Sequence, residues 1–111
     1  MDFFTLLALM LVGHALADYP LQGDFLARGK SHRSPIEGVP WYHPLMAHAA
    51  IHGGFVGVIT QSLFLGIAEF CLHIVIDYGK CDKWFGYNTD QILHVLCKIA
   101  WALLAVFVIT T

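Results

Sequence analysis

Charged side chains are scarce in this sequence. Lys, Arg, Asp and Glu make up 13% of its 111 residues, against roughly 25% in a typical soluble domain, and hydrophobic residues make up 58%. Residues 3–17 and 42–68 contain no charged side chain, and residues 92–111 contain only Lys98. A membrane-spanning helix needs about 20 mostly apolar residues. The composition therefore argues against an ordinary soluble domain and predicts an integral protein of a lipid bilayer.

Two other shortages exclude further classes of protein. The formal net charge is -2, so the chain lacks the excess of Lys and Arg that attracts nucleic acid. The three cysteines form no CxxC pair, and an odd number gives no support for a disulfide framework. We therefore expect neither a nucleic-acid partner nor a fold held together by disulfides.

The apolar segments predict an all-α fold with four membrane-spanning helices. Pro20 stops the first helix, and the polar run 60–62 divides the segment 41–79, which is too long for one span. Residues 15–17 (Ala-Leu-Ala) resemble a signal-peptidase site, but no basic residue precedes the apolar run, so we expect a retained helix. The segment LQGDFLARGK (21–30) predicts a short interfacial helix. The expected fold is one transmembrane domain over residues 1–111, an up-down-up-down four-helix bundle with helices at about 2–17, 42–60, 63–79 and 88–110 and loops at 18–41 and 80–87.

The basic residues predict how this bundle is oriented. Five of the six Lys and Arg residues lie in or beside the two loops, and neither the 60–62 turn nor either terminus carries one. Basic residues favour the cytoplasmic side of a membrane. We therefore expect both loops in the cytoplasm, both termini outside, and a multi-pass position in the cytoplasmic membrane.

Each predicted helix carries one pair of His or Asp side chains at a spacing of four residues. Residues four apart share a helical face, with Cβ atoms about 5–6 Å apart. Imidazole and carboxylate groups are costly to bury unless something pairs with them. In an up-down-up-down bundle all four pairs lie near the cytoplasmic ends of the helices. The pairs are His14 and Asp18, His48 and His52, His73 and Asp77, and Asp90 and His94.

Residue numbering indicates that these pairs lie at matching depths. In an ideal antiparallel hairpin, residues at equal depth have a constant sum of residue numbers. The first and second helices form one such hairpin, and the third and fourth form another. Within each hairpin, the two polar residues nearest the loop have the same sum as the two polar residues one turn deeper. Glu69 and Lys98 share the sum of the second hairpin and lie one turn deeper. We therefore expect them to form an ion pair beneath the site, because an unpaired ion within a membrane is costly.

Four such pairs at one level predict a divalent-metal site. Imidazole and carboxylate ligands suit zinc best here, and manganese or iron also fit. Eight ligands exceed the need of one tetrahedral zinc and suit two ions, about 3.5–4 Å apart, with some of the eight in supporting roles. Two alternatives stay open, a metal-free polar or proton-relay network and a coincidence of helix packing.

The motif HxxxDY occurs twice, as HALADY at 14–19 and as HIVIDY at 73–78. Each copy is followed by a helix that bears a second polar pair. This repetition suggests a duplicated helical hairpin, with the copies related by an axis along the membrane normal.

On these motifs the chain resembles an uncharacterised family of small inner-membrane proteins of bacteria and phages, known as a domain of unknown function. The resemblance covers nearly the whole chain and rests on HALADYPLQGDF, Lys30, the His-rich second helix, HIVIDYGK and DQILH (90–94). It implies a bacterial inner-membrane location and draws attention to Gln22, Asp24 and Gln91 as well. More remotely the chain is similar to bacterial membrane-bound metal-dependent hydrolases, which implies hydrolysis by analogy.

The leading functional hypothesis is a membrane-embedded metal-dependent hydrolase of a lipid phosphoester or similar amphiphile at the cytoplasmic leaflet. We expect attack by metal-bound water, because no Ser–His or Cys–His nucleophile is evident. Asp24 or a carboxylate of the ligand set is the candidate general base. The expected substrate-binding residues are Gln22, Lys30, Lys80 and Gln91, although the two lysines can equally snorkel to the interface.

Two other functions stay open on the sequence. One is a non-enzymatic membrane protein that uses the metal to stabilise its bundle while it contacts an envelope or phage partner. The other is a metal or proton transporter, which the clustering of ligands at one end disfavours. Gly53, Gly54 and Gly57 permit close helix packing within the bundle or between copies of the chain, so homo-oligomerisation is also left open.

Overall fold

The computed structural model describes residues 1–108, and all regular secondary structure within them is helical. The prediction of an all-α chain is therefore confirmed, with five helices in the described range. The predicted extension of the last helix to residue 110 lies partly outside the described residues. The helices are α1 (Phe3–Asp18), α2 (Gly23–Gly29), α3 (Tyr42–Thr60), α4 (Leu63–Cys81) and α5 (Tyr87–Phe107).

A sharp turn separates α1 from α2. The carboxylate of Asp2 caps α1 by accepting a hydrogen bond from the backbone N–H of Thr5 at 2.7 Å. At the other end Pro20 cannot continue the helix, and α2 begins at Gly23 with its axis bent by 85° from that of α1. The segment after α1 therefore folds back across the end of the bundle.

α3 and α4 form a tight antiparallel hairpin. Gln61 adopts a left-handed conformation between them, and the Ser62 hydroxyl caps α4 by accepting from the N–H of Leu65 at 3.2 Å. A Cβ atom added to Gly53 would lie 2.8 Å from the carbonyl oxygen of Gly66, so only glycine permits this approach of the two backbones.

The interior has an apolar end and a polar end. The apolar core contains residues from the first halves of α1 and α4 and the second halves of α3 and α5, which shows that neighbouring helices run in opposite directions. The opposite end of the interior holds buried histidine, aspartate, glutamate and lysine side chains. The apolar core consists of Leu6, Met10, Val56, Leu65, Trp101, Ala102 and Ala105.

Large apolar side chains cover much of the outer surface. Phe4 and Leu63 are each 79% exposed, and Phe64, Val58 and Phe107 are nearly as exposed. The molecule is elongated, with extents of 47 × 23 × 21 Å. Many of its ionisable groups lie inside while many of its large hydrophobic groups lie outside, which reverses the usual distribution of a soluble domain.

One helix of the described part, α5, is long and apolar enough to cross a membrane by itself, and α1 with α2 would make a second if the bent pair counts as one span. The expectation of four independently apolar spans is therefore not supported. α1 has 16 residues, which at 1.5 Å per residue is short for a hydrocarbon core of about 30 Å. α3 contains three histidines, and α4 contains Glu69, Asp77 and Lys80.

Candidate metal centre

The structure gathers all eight predicted ligand residues at the polar end of the bundle. They come from the later turns of α1 and α4 and from the first and middle turns of α3 and α5, and each i,i+4 pair faces inward because its members share one helical face. All but Asp18 are buried, and Asp18 is half-buried. The bundle therefore collects imidazole and carboxylate groups from four helices in one place.

A first group of ligand atoms consists of three histidines and one aspartate. Asp18 Oδ1 lies 2.8 Å from His52 Nε2 and 3.2 Å from His48 Nε2. With His73 these residues offer one atom each, all within 4.8 Å of one another. Three imidazoles and one carboxylate match the ligand type and number of a tetrahedral zinc site.

A second group consists of Asp77, Asp90 and His94, again within 4.8 Å of one another. His94 Nε2 lies 3.1 Å from Asp77 Oδ1 and 3.3 Å from Asp90 Oδ1. The other oxygen of Asp77 lies 3.4 Å from His73 Nε2 and 3.6 Å from His48 Nε2. Asp77 thus turns one oxygen toward each group, so this carboxylate would be available to both if each group held an ion.

Several buried atoms of these groups have no hydrogen-bond partner among residues 1–108. His48 is fully buried, and its Nδ1 has no partner, while its Nε2 makes no well-directed hydrogen bond although it lies 3.2 Å from Asp18 Oδ1. His73 Nε2 and Asp90 Oδ1 likewise make no well-directed hydrogen bond. A buried polar atom without a partner costs about 1–3 kcal/mol. Atoms left in this way beside one another fit the role of metal ligands, so the residues can hold a divalent ion.

His14 differs from the other seven because it joins none of the ligand groups found within residues 1–108. Its Nε2 lies 3.0 Å from Gln91 Oε1 and 3.2 Å from Asp18 Oδ2. Gln91 Nε2 in turn donates to Asp18 and to Asp90, each at 3.2 Å. His14 and Gln91 therefore support the ligand carboxylates from the side.

Glu69 and Lys98 lie in contact one turn below the ligands. Lys98 Nζ donates to Glu69 Oε1 at 2.9 Å, and Trp101 Nε1 donates to the same oxygen at 2.9 Å. Glu69 Oε2 lies 2.8 Å from His73 Nδ1. We assign the proton of His73 to Nδ1, where the carboxylate accepts it, which leaves the Nε2 lone pair facing the first group.

Trp101 was not expected in this cluster from the sequence. A signal was available, because residue 101 lies three positions after Lys98 on the same face of α5 and a buried indole N–H needs an acceptor.

A small cavity of about 80 Å³ opens beside the ligand groups. All four residues that the sequence suggested for substrate binding line it. Lys80 also lies over the ring of Tyr87, and the hydroxyl of Tyr87 is hydrogen-bonded to that of Tyr19. The lining consists of Asp18, Tyr19, Gln22, Lys30, Asp77, Lys80, Tyr87, Asp90 and Gln91.

The structure does not bring Asp24 to this cavity. The side chain is 85% exposed, and it pairs with Arg28 Nη1 at 3.5 Å on the same short helix. The turn of 85° after α1 leaves Asp24 on the outer side of α2, while Lys30 at the end of α2 reaches inward. The position of Asp24 therefore gives no support to the expectation that it acts as the general base, which stays a prediction.

A cluster around Asp82 fastens the loop after α2 to the end of α4. The ring of His32 stacks on that of Tyr78, with centroids 4.2 Å apart. Asp82 accepts from Arg33 Nε at 2.8 Å and from Trp84 Nε1 at 2.7 Å, and it lies 2.9 Å from His32 Nε2. These hydrogen bonds lower the pKa of Asp82 to about 2, and the bond with His32 has the largest effect. Sequence spacing gave no signal for this Asp82 cluster, because its members come from the loop after α2 and from the end of α4 with the loop that follows it.

Comparison with known proteins gives one match. Neither the curated proteins nor the solved structures contain a match to this chain. A family described as "Protein of unknown function (DUF3307)" matches residues 6–111, a range that includes every residue of the ligand groups and of the cavity. This agrees with the expected resemblance to an uncharacterised family. The chain belongs to the DUF3307 family of proteins of unknown function.

Proposed function

We propose that the protein is a membrane-embedded hydrolase that uses two divalent metal ions to cleave a phosphoester. The observation that carries this proposal is the fully buried His48, whose Nε2 lies 3.2 Å from Asp18 Oδ1 and 3.6 Å from Asp77 Oδ2 without a well-directed hydrogen bond to either. A buried imidazole in contact with two carboxylates supports the role of a metal ligand over that of a packing residue.

Two ions fit the side chains better than one. The first group offers three imidazoles and a carboxylate, and the second offers two carboxylates and an imidazole. Asp77 faces both groups and would join them. Zinc suits the first group best, and manganese or iron would suit the second, which is richer in oxygen.

Bound ions of this kind would lower the pKa of a water toward about 7 and polarise a phosphoryl oxygen. The protein's own residues then have separate roles. Glu69 orients His73, Gln91 holds Asp18 and Asp90 in place, and the cavity limits access to a small group. Because Asp18 and Asp90 line the cavity, these carboxylates are the candidates to accept a proton there.

The reversed distribution of polarity supports a position within a bilayer. The helices that fail as isolated spans owe their polarity largely to side chains that are buried in the bundle, such as His52, Glu69 and Asp77. The 47 Å length is close to the roughly 40–45 Å thickness of a bilayer with its head groups. α2, at 85° to α1, carries the exposed Phe25, and the exposed Leu21 lies in the turn before it, so this segment would lie along the interface. The basic loops beside the site would face the cytoplasm.

Elemental mass spectrometry on detergent-purified protein tests the metal site. We expect about two equivalents of a divalent metal in the wild type and at least one fewer in His48→Leu. His43→Leu is the matched control, because His43 is exposed near the start of the same helix and belongs to neither group. Metal-free wild type, or equal metal content in both variants, would overturn the proposal.

Hydrolysis is tested separately with phosphoesters in detergent micelles. Protein stripped by a chelator should be inactive, and addition of zinc or manganese should restore turnover. Activity that persists in the stripped protein would show that the metal is not required for catalysis.

A structural metal site is the second candidate, and the burial of the three histidines of the first group favours it. Structural zinc sites are closed by four protein ligands, whereas catalytic sites keep one position open. Absorption spectra after cobalt substitution distinguish the two. Addition of inorganic phosphate should change the spectrum of an open site and leave that of a closed site unchanged.

A further inference from the structure

Lys30 is one of two buried lysines in the described part of the chain, and only 7% of it is exposed. Its Nζ donates to Asp77 Oδ2 at 3.1 Å and to Gln22 Oε1 at 2.6 Å. The other buried lysine, Lys98, is paired with Glu69 below the ligands. Lys30 therefore places a positive charge directly on a proposed metal ligand.

The fold holds this lysine in place from both sides. Gly29, at the end of α2, packs so closely on α3 that an added Cβ would lie 2.9 Å from Pro44 Cγ. On the other side the Asp82 cluster fastens His32 and Arg33, the residues that closely follow Lys30, to the end of α4. The position of Lys30 at the cavity is thus built into the structure.

The ammonium group and a metal ion would compete for the same oxygen. Asp77 Oδ2 is bonded to Lys30, and it is also the oxygen that faces His48 and His73 of the first group. An ion bound by these three ligands would repel the ammonium and take its carboxylate partner. Lys30 would then be a cation at the cavity without its strongest anionic partner, which is costly unless another anion replaces it.

Binding of two divalent ions would reverse the sign of the net charge of the cavity. Its lining contains three carboxylates and two lysines, a net charge of about −1 without ions. Two divalent ions would bring this to about +3, so the loaded cavity attracts an anion. The cavity, with a volume of about 80 Å³, has room for a group of a few heavy atoms. A terminal phosphate is a group of this kind and carries the negative charge that the loaded cavity would attract.

We propose that Lys30 is an exchangeable counter-ion that pairs with Asp77 in the metal-free protein and binds the terminal phosphate of a phosphomonoester in the metal-loaded protein. This inference rests on the proposed metal site, and it narrows the substrate from phosphoesters in general to phosphomonoesters. Gln22, which contacts Lys30 Nζ, supports the lysine in both states.

The test measures binding of inorganic phosphate to the metal-loaded protein in detergent by isothermal titration calorimetry. Lys30→Met should weaken binding about tenfold or more, as expected when a charge-assisted hydrogen bond is lost. Arg28→Met is the matched control, because it removes the same charge from the exposed face of α2 and should change binding less than about twofold. Lys30→Arg keeps the charge and should bind phosphate nearly as well as wild type.

A second measurement separates this role from a purely structural one. Removal of the competing ammonium should raise the affinity of Lys30→Met for metal, as measured by competition with a chelating dye. A residue that only stabilised the site would lower metal affinity when replaced. Unchanged phosphate binding in Lys30→Met, or a lower metal affinity, would overturn the proposal.

Failure of this inference can be told apart from failure of the metal site. Wild type that binds metal but not phosphate would refute the role of Lys30 and leave the metal site standing, whereas wild type without metal would refute both. Competition against phosphate by a lipid phosphomonoester in mixed micelles and by a water-soluble phosphomonoester then identifies the source of the group. Competition by either ester supports the inference, and competition by neither contradicts it.

Discussion

The two halves of the molecule carry the same motif at the site and opposite chemistry one helical turn deeper. In the half formed by α1 and α3, Met10 lies four residues before His14, and Val56 lies four residues after His52. In the half formed by α4 and α5, the corresponding positions are Glu69 and Lys98. All four of these deeper side chains are buried, so the same position is apolar in one half and ionic in the other.

This difference explains why the two equivalent histidines are used differently. His73 is held at Nδ1 by Glu69, and its Nε2 faces the first ligand group. His14 has Met10 in the place of that carboxylate, and its Nδ1 has no hydrogen-bond partner within residues 1–108. If the site holds metal, the duplicated motif would supply a ligand in one half and a supporting residue in the other, and the residue four positions before each histidine differs accordingly.

The largest expected effect comes from replacing Lys98 of the second half with valine, the residue that the first half has at the equivalent position, 56. Lys98→Val removes the ammonium group and leaves the carboxylate of Glu69 buried without its charge partner, which should cost about 3–5 kcal/mol of folding stability. Thermal unfolding followed by circular dichroism in one detergent measures this loss.

The double variant Glu69→Met with Lys98→Val completes the exchange between the halves. It should be less destabilised than the sum of the two single variants, because each single change leaves an unpaired buried ion and the double change leaves none. It should not reach wild-type stability, since His73 and Trp101 both lose their acceptor. Additive losses would show that the ion pair has no special energetic role.

A medium effect is expected on metal affinity. Glu69→Gln keeps the size of the side chain but weakens its hold on His73, and changes in such supporting carboxylates typically cost 10–100-fold in metal affinity. Met10→Leu, at the equivalent position of the first half, should leave the affinity unchanged. Titration against a chelating dye measures both, and equal affinities in the two variants would remove the functional distinction between the halves.

The smallest effect concerns the end of the second half, where Asp82 accepts hydrogen bonds from the loop. The pKa of this carboxyl is about 2, below its ordinary value of 3.8, so its contribution is complete above about pH 4 and is lost as the pH falls through about 2. We expect the tryptophan fluorescence to change over this range, because Trp84 donates to Asp82.

Two variants isolate the carboxyl that is responsible for this change. Asp82→Asn should abolish the fluorescence change between about pH 4 and pH 2. Asp24→Asn, which alters an exposed carboxyl of the α1–α2 region, should leave it intact. A transition that survives in Asp82→Asn would assign the pH dependence to another group.

Much of the candidate site follows from helix geometry alone. Spacing of four residues places each polar pair on one face, and the constant sum of residue numbers in a hairpin leads from the ligand levels to Glu69 and Lys98, which the structure places 2.9 Å apart. Both rules depend only on the regular rise of a helix, which is why they work without knowledge of the loops.

The rest depends on irregular segments whose path the sequence does not specify. Lys30 reaches Asp77, 47 residues away in the chain, only because α2 turns by 85° and Gly29 packs on Pro44. The same turn carries Asp24 outward. Hydropathy was also a limited guide, because the apolar segments predicted four spans and one helix of the described part, α5, is long and apolar enough to be one by itself.

The close approach of Gly53 and Gly66 has a consequence for the accuracy of the ligand geometry. A slip of α3 along α4 by one helical turn would move His48 and His52 by about 5.4 Å relative to His73. The ligand atoms of the first group all lie within 4.8 Å of one another, so such a slip would exceed the whole extent of the group. The contact between these two glycines, which have no reactive side chain, therefore fixes the position of the histidines of α3 relative to the histidine of α4.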